Sequence, residues 1–250
     1  MRNIVFSEPP EIPILYQDEH LVIIDKPSGL LVHRSEIDKR ETLFAIQLTR
    51  DTIGQRVYPV HRLDRPTSGA LMFALNSDVA RLLSEMFIHG EIKKTYLAVV
   101  RGYAPDELYI DYPLKEILDK KSDKQANKDK GPQSAQTRLQ RLATCELDFP
   151  SGRYDKTRYS LLQLTPETGR KHQLRRHMAH IRHPIIGDTN HGDGKQNLAA
   201  REHLRLHRLA LVAKRLEFIH PVTGANICVE SKLDDSLVRV FTHCGWATEI

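Results

Sequence analysis

Cysteine is scarce in this 250-residue chain: Cys145, Cys228 and Cys244 are the full complement, and no two form a CxxC pair. That spacing excludes a disulfide scaffold and a cysteine-built zinc site, and it suits a reducing cytoplasm. Long hydrophobic runs are also missing. The longest, Ala70–Leu75, has six residues, whereas a membrane span needs about 20. Met1–His20 shows no apolar stretch behind a basic start, so a secretory signal is not expected. Aromatics make up only 6%, yet hydrophobic residues reach 40% and charged ones 28%, which is a globular balance and not a disordered one. A chain this long buries roughly 70–75% of its unfolded surface. No GxGxxG, GxSxG or HRDxxxxN pattern occurs, which leaves no obvious place for a nucleotide cofactor, an α/β-hydrolase site or a protein kinase. These absences lead us to expect a soluble cytoplasmic protein with no membrane association.

Charge is present but modest overall, at +5 from 37 Lys+Arg against 32 Asp+Glu. Its distribution says more. Arg170–His183 (RKHQLRRHMAHIRH) holds four Arg, one Lys and four His with no acid, which favours a polyanionic partner. His172, His177, His180 and His183 share helical spacing, but their neighbours are cations that would repel a metal dication, so no metal is expected there. His203 and His207 have i, i+4 spacing without the Glu of HExxH, and Gly187–Gly194 lacks the GK[ST] of a P-loop.

The apolar pattern predicts a mixed α+β fold. Ile12–His33 reads as a β-meander broken by QDEH and KPSG, and Thr42–Arg50 as a short helix capped by Thr42. Gly69–Leu75 reads as a buried strand, followed by a helix over Asp78–His89 with Ser77 as its cap and Gly90 as its stop. Further strands are expected at Ile92–Val100, Ala135–Leu147, Arg158–Leu164, Leu209–Ala213 and Leu216–Ile219. Helices are expected at Lys171–Ile181 and Asp234–His243. Residues 115–133 are highly charged and read as a solvated loop. No internal repeat or linker divides the chain, so residues 1–11 are expected as a tail and 12–250 as a single catalytic domain.

The most specific feature is Val60–Leu75, VHRLDRPTSGALMFAL. Asp64 follows His61 and lies between Arg62 and Arg65, with a Pro-Thr-Ser-Gly turn leading into the apolar run. An acid so placed is usually a salt-bridged surface residue. A carboxylate among guanidinium groups is favoured in its charged form, however, and a partly desolvated carboxylate can attack an anomeric carbon.

HRLDRPTSG resembles the HRLDxxTSG signature of the RluA family of pseudouridine synthases. Other motifs follow in the family's order. Lys26-Pro27-Ser28-Gly29 with Val32-His33 is similar to KPxGxxVH, and Lys94-Thr95-Tyr96 to the K.Y strand. GRKHQLRRH (Gly169–His177) is similar to GRxHQxRxH, and His183-Pro184-Ile185-Ile186-Gly187-Asp188 to HPIxGD. The resemblance implies a mixed, largely antiparallel central sheet flanked by helices, without the S4 domain that many relatives carry. It implies an isomerase that turns uridine into pseudouridine by breaking the C1′–N1 bond and joining C1′ to C5. That change is redox-neutral and adds no atoms, so no cofactor is expected.

By the same resemblance Asp64 is the catalytic aspartate. Tyr96 packs on the flipped base and takes the C5 proton, and Arg175 pairs with the aspartate. Arg62 fills the gap left by the flipped uridine, a step that costs a few kcal/mol. His61, Arg65, Lys171, His172 and Arg176 are expected to touch RNA. One departure stands out: Val212 replaces a histidine common in relatives, so no role is given to it. Stretches outside the motifs, such as DKGPQ and GRYDKTRY, are most similar to family members acting on tRNA. They imply a tRNA partner, modification at position 65 and a monomer, with an rRNA-specific enzyme or a non-catalytic RNA-binding module as alternatives.

Overall fold

The computed structural model describes residues 8–34, 41–116 and 131–246. Most of the expected charged loop, residues 117–130, lies outside them, as do the first seven and last four residues. The architecture is a mixed, largely antiparallel sheet with helices packed on it. Strand β1 (Ile14–Gln17) lies at one end, beside β2 (Leu21–Lys26) and β4 (Ser68–Ala74). Next come β9 (Leu211–Ile219), β5 (Lys93–Arg101), β8 (Thr157–Pro166), β7 (Gln136–Leu147) and β6 (Glu107–Asp111). Short strands β3 (Tyr58–Pro59) and β10 (Asn226–Glu230) pair with β4 and β9. Among the described strands only β4 and β9 run parallel.

Alternation along the strands builds the core. Val22 and Ile24 of β2, with Leu71 and Phe73 of β4, face helix α1 (Ala45–Ile53). Their neighbours Leu21, Ile23, Ala70 and Met72 face helix α2 (Ser77–His89) through Val79 and Leu83. Because β4 is covered on both faces, its run is apolar throughout instead of alternating. A third cluster packs β5, β8 and β9 against α3 (Gln173–His180), α4 (Gly194–Leu204) and α5 (Asp235–His243).

Several expected boundaries are corrected. The meander stops after β2: Leu31 makes only an isolated bridge to Phe44. The carbonyls of Leu31 and Val32 instead accept from the N–H groups of Ala45 (2.8 Å) and Ile46 (3.1 Å). That satisfies the first turn of α1, which starts at Ala45 behind an uncapping Phe44 and not behind Thr42. Helix α2 is capped by Asn76, whose side chain accepts from Val79 N–H, so Ser77 is its first residue. Helix α3 begins at Gln173, two residues late, because His172 is left-handed at φ 56°. Leu209–Ala213 and Leu216–Ile219 merge into the single strand β9, with an irregularity where Thr95 and Tyr96 pair with it. Helix α4, absent from the sequence reading, carries little amphipathic signal because Gln196 and Asn197 are buried while Leu198 is exposed.

The β4–β9 junction explains one motif residue. Gly69 sits at φ 112° opposite Ala213, where a Cβ would lie 2.3 Å from that residue's carbonyl oxygen. Gly69→Ala is therefore expected to push the parallel strands apart just after the Asp64 loop. We expect it to cost about 1–3 kcal/mol, read as a lowered urea midpoint, with activity falling in the same variant.

Candidate active site

Asp64 lies in the loop Val60–Thr67 between β3 and β4, and that loop is held from several sides. His61 Nε2 accepts from Met72 N–H at 2.9 Å while its ring stacks on Phe87. Leu63 is buried in the core beneath α1. The turn closes through Thr67 N–H to Asp64 carbonyl at 3.0 Å. The KPSG segment clamps the other side. Lys26, fully buried, donates from Nζ to the carbonyls of Leu30 (2.7 Å), Pro27 (2.9 Å) and Arg65 (3.3 Å). Ser28 Oγ donates to Pro66 carbonyl, and Gly29 N–H to Arg65 carbonyl. Burial, with help from Arg208, pushes the Lys26 amine down to about 7, against the pull of Asp64.

From α3, Arg175 reaches Asp64: Nη1 donates to Oδ2 at 3.1 Å. Its other edge is occupied. Nε and Nη2 donate to the two oxygens of Asp188 at 2.7 and 2.8 Å, a bidentate pair with both residues nearly dry. Asp188 Oδ1 also accepts from the N–H groups of Asn190 and His191. Burial opposes ionisation of Asp188, but Arg175 and these donors outweigh it and hold the carboxyl below its ordinary value. The turn bearing Asp188 is fixed by Asn197 of α4, which bonds Gly187 N–H and Asp188 carbonyl, both at 2.7 Å. Gly187, at φ 83°, has no room for a Cβ against Arg208.

Gln173 anchors the start of α3. Its amide accepts from Thr168 and Arg170 and donates to Gln136 and Thr137. Tyr96, on β5 opposite Ala213 and Leu164, projects into the same region. Burial first, and then the Asp64 carboxylate, push its phenol up, so it stays protonated.

Several of these residues line one cavity of about 570 Å³, within the range of small-molecule sites. Asp64, Tyr96, Arg175, Arg62, His61, Lys171 and His172 are all on its wall. Arg62 and Arg170 both line the cavity and both are exposed to solvent. Two expected RNA contacts are not on the wall. Arg65 turns inward, donating to Gly29 carbonyl (3.0 Å) and pairing with Glu41 at 2.7 Å. Arg176 lies next round α3, near Tyr112, as the 100° step per residue requires. His61 lines the cavity but is no cation for phosphate: burial, then Lys94, push it down to about 3. The other clustered histidines have partners of their own. His177 bonds Thr137 and Tyr112 carbonyl, His180 stacks on Tyr112, and His183 bonds Arg101 carbonyl. Lys26 opens one matched motif and Asp188 ends another, and both hold the site in place although the sequence assigns them no role.

The site thus holds a carboxylate on a fixed guanidinium, with a phenol on the same cavity wall. The model of the RNA pseudouridylate synthase family matches residues 20–180. The chain belongs to the RNA pseudouridylate synthase family. It is 50% identical to tRNA pseudouridine synthase C of Vibrio parahaemolyticus, over 97% of this chain and 98% of that one. The Haemophilus ducreyi protein of the same name is 53% identical over 94% of this chain and 97% of its own. Among solved structures, human RNA pseudouridylate synthase domain containing 4 superposes with a TM-score of 0.69. It is 26% identical, with 93% of each chain covered. The chain is thus an isomerase of this family.

The clamp on Arg175 makes a prediction. Asp188→Asn removes the charge that fixes the guanidinium, leaving it free to swing onto Asp64. Breaking a buried pair costs about 3–5 kcal/mol, so the melting temperature should drop. The kcat should fall well beyond any change in KM for RNA, and Asp188→Glu should restore part of it.

Proposed function

We propose that this pseudouridine synthase acts on tRNA, converting the uridine at position 65, with Asp64 as the group that attacks or otherwise assists at C1′. The observation that carries the chemistry is Asp64 paired with Arg175 in a cavity rimmed by Arg62, Arg170 and Lys171. The tRNA reading is supported by the near-full-length similarity to proteins named tRNA pseudouridine synthase C. Substrate choice is written outside the shared chemistry, so likeness across the whole chain weighs more than likeness in the motifs.

In this reading a stem uridine is flipped into the cavity, with Arg62 taking the vacated space and Tyr96 packing on the base. Arg175 keeps the Asp64 carboxylate aimed at the ribose. C1′–N1 breaks, the uracil turns, and C5 joins C1′. Lys171 and Arg170 hold backbone phosphates at the mouth, which makes affinity salt-dependent. The step transfers no electrons to or from the protein and adds no atoms, so the reading needs no redox or group-carrying cofactor. We further read residues 12–250 as one catalytic domain, since a single continuous sheet carries the described strands, and the protein as a cytoplasmic monomer.

Asp64→Asn and Asp64→Ala should abolish release of tritium from C5-labelled uridine in tRNA while leaving filter binding intact or slightly tighter. Residual turnover within about tenfold of wild type, some 1.4 kcal/mol of barrier, would remove Asp64 from the mechanism. The substrate is tested separately by mapping pseudouridine in tRNA and rRNA from cells with and without the gene. Loss at tRNA position 65 is expected. Loss at an rRNA site with position 65 intact would make this an rRNA enzyme with the same chemistry.

A further inference from the structure

His172 is placed with unusual care for a residue that merely touches phosphate. It is one of three non-glycine residues with positive φ among those described, at φ 56° and ψ 26°, a conformation that costs about 1–3 kcal/mol. It heads α3 without capping it through its side chain. Held this way, the ring stands on the cavity wall between two groups. Nδ1 is 3.0 Å from His191 Nε2, and Nε2 is 3.9 Å from Asp64 Oδ2. The two imidazoles meet edge to face at 74°.

The isomerisation has a proton to move. Once C5 is bonded to C1′ it still carries its hydrogen, and the C5–H bond must break. Few groups on the wall can accept that proton. Tyr96 keeps its phenolic proton. His61 Nε2 already accepts from Met72. Glu167 is taken by Tyr109 and Arg138. Asp64 is engaged at the ribose, the guanidinium groups have no lone pair to offer, and Lys94, also on the wall, stands over the Phe87 ring.

We infer that His172, backed by His191, is the base that removes the C5 proton, in place of Tyr96. This rests on the pseudouridine reading above. In the tautomer where His172 Nδ1–H donates to His191, Nε2 presents its lone pair to the cavity. The C5–H pair becomes the C5=C6 bond, and the displaced C6=N1 pair takes a proton at N1. The C5 proton goes to His172 Nε2, while the Nδ1 proton moves on to His191 Nε2. His191 then gives up a proton to water and N1 takes one from water, so protons balance overall and nothing is oxidised.

The groups facing His172 are Asp64 from the β3–β4 loop, Lys171 and Arg175 from its own segment, and His191 from the Asp188 turn. Burial, and then Arg175, His191 and Lys171, hold the ring down to about 4 against the upward pull of Asp64. It is therefore unprotonated, and able to accept, throughout the neutral range.

The test uses His172→Asn, because asparagine tolerates the left-handed backbone, with His172→Gln as a second variant. Removing a general base costs about 100- to 10,000-fold, so single-turnover conversion of the uridine substrate should drop by that order. RNA binding should hold, and a deuterium isotope effect at C5 should emerge or grow. A transcript carrying 5-fluorouridine has no C5 proton to remove. Both variants should therefore still form the C5-linked product from it at the wild-type rate, whereas Asp64→Asn should not. Equal losses on uridine and 5-fluorouridine, or wild-type tritium release from either variant, would overturn the assignment. If the wild-type protein itself converts neither RNA, it is the pseudouridine reading that fails.

Discussion

The guanidinium of Arg175 stands between two carboxylates, and the site is organised by how unequally it serves them. Asp188 takes two of its N–H groups in a dry pocket, while Asp64 takes one at the cavity wall. A buried ion pair is tolerated only where the remaining lone pairs find donors, and Asp188 finds them in Asn190 and His191 N–H. Asp64 is left incompletely satisfied: among the described residues its Oδ1 makes no hydrogen bond. One guanidinium thus creates a spent carboxylate that is structural and an available one that is chemical. Had both acids shared it equally, neither would be fixed.

That arrangement is useful only if Asp64 itself stays put, and a loop has to be immobilised to achieve it. Lys26 does this from beneath by placing a buried ammonium among three carbonyls, one of them Arg65 of the catalytic loop. Burying the charge is costly, which is visible in the amine's fall to about 7. The compensation is that two segments nearly 40 residues apart are tied by one side chain. Gly69 completes the fixation by letting β4 and β9 approach where any side chain would collide. A mobile connection becomes as rigid as the sheet that carries it.

Much of this was legible in the sequence. Strand β4 followed from its unbroken apolar run, and α2 from Val79, Leu82, Leu83, Met86 and Phe87 with Gly90 as its stop. The motif order led to Asp64, Tyr96 and Arg175 sharing a cavity. What stayed hidden depends on contacts between distant segments. Arg62 and Arg65 look equivalent in HRLDR, yet Glu41 and Gly29 draw Arg65 inward. Thr42 is a better cap than Phe44 by residue type, but the Leu31 and Val32 carbonyls had already satisfied the helix. His61 reads as a phosphate ligand by residue type, but its ring accepts from Met72 N–H. Asp188 gave no local sign of its partner, since its charge is matched 13 residues away on α3. Helix α4 was missed because its inward face is partly amide: Asn197 serves the Asp188 turn while Ala200 and Leu204 join the core.

Charge on this protein does two separate jobs, and geometry keeps them apart. A net charge of +5 is too small to draw a polyanion by itself, so the cations must act locally, at the mouth where Arg62, Arg170 and Lys171 gather around the entrance. Cations of that kind, two of them exposed and Lys171 half-buried, act through displaced counterions and weaken as salt rises. Arg175 belongs to the other class. It is almost wholly buried, and two carboxylates already match its charge, so it has little attraction left for phosphate and little sensitivity to salt. The acid on the floor would repel an approaching backbone if it were not neutralised from behind. Arg175 therefore serves binding only by cancelling that repulsion, while the rim supplies the attraction. The rim can change with the RNA to be gripped without disturbing the floor, whose residues are locked to one another through helix α3, the Asp188 turn and the β3–β4 loop.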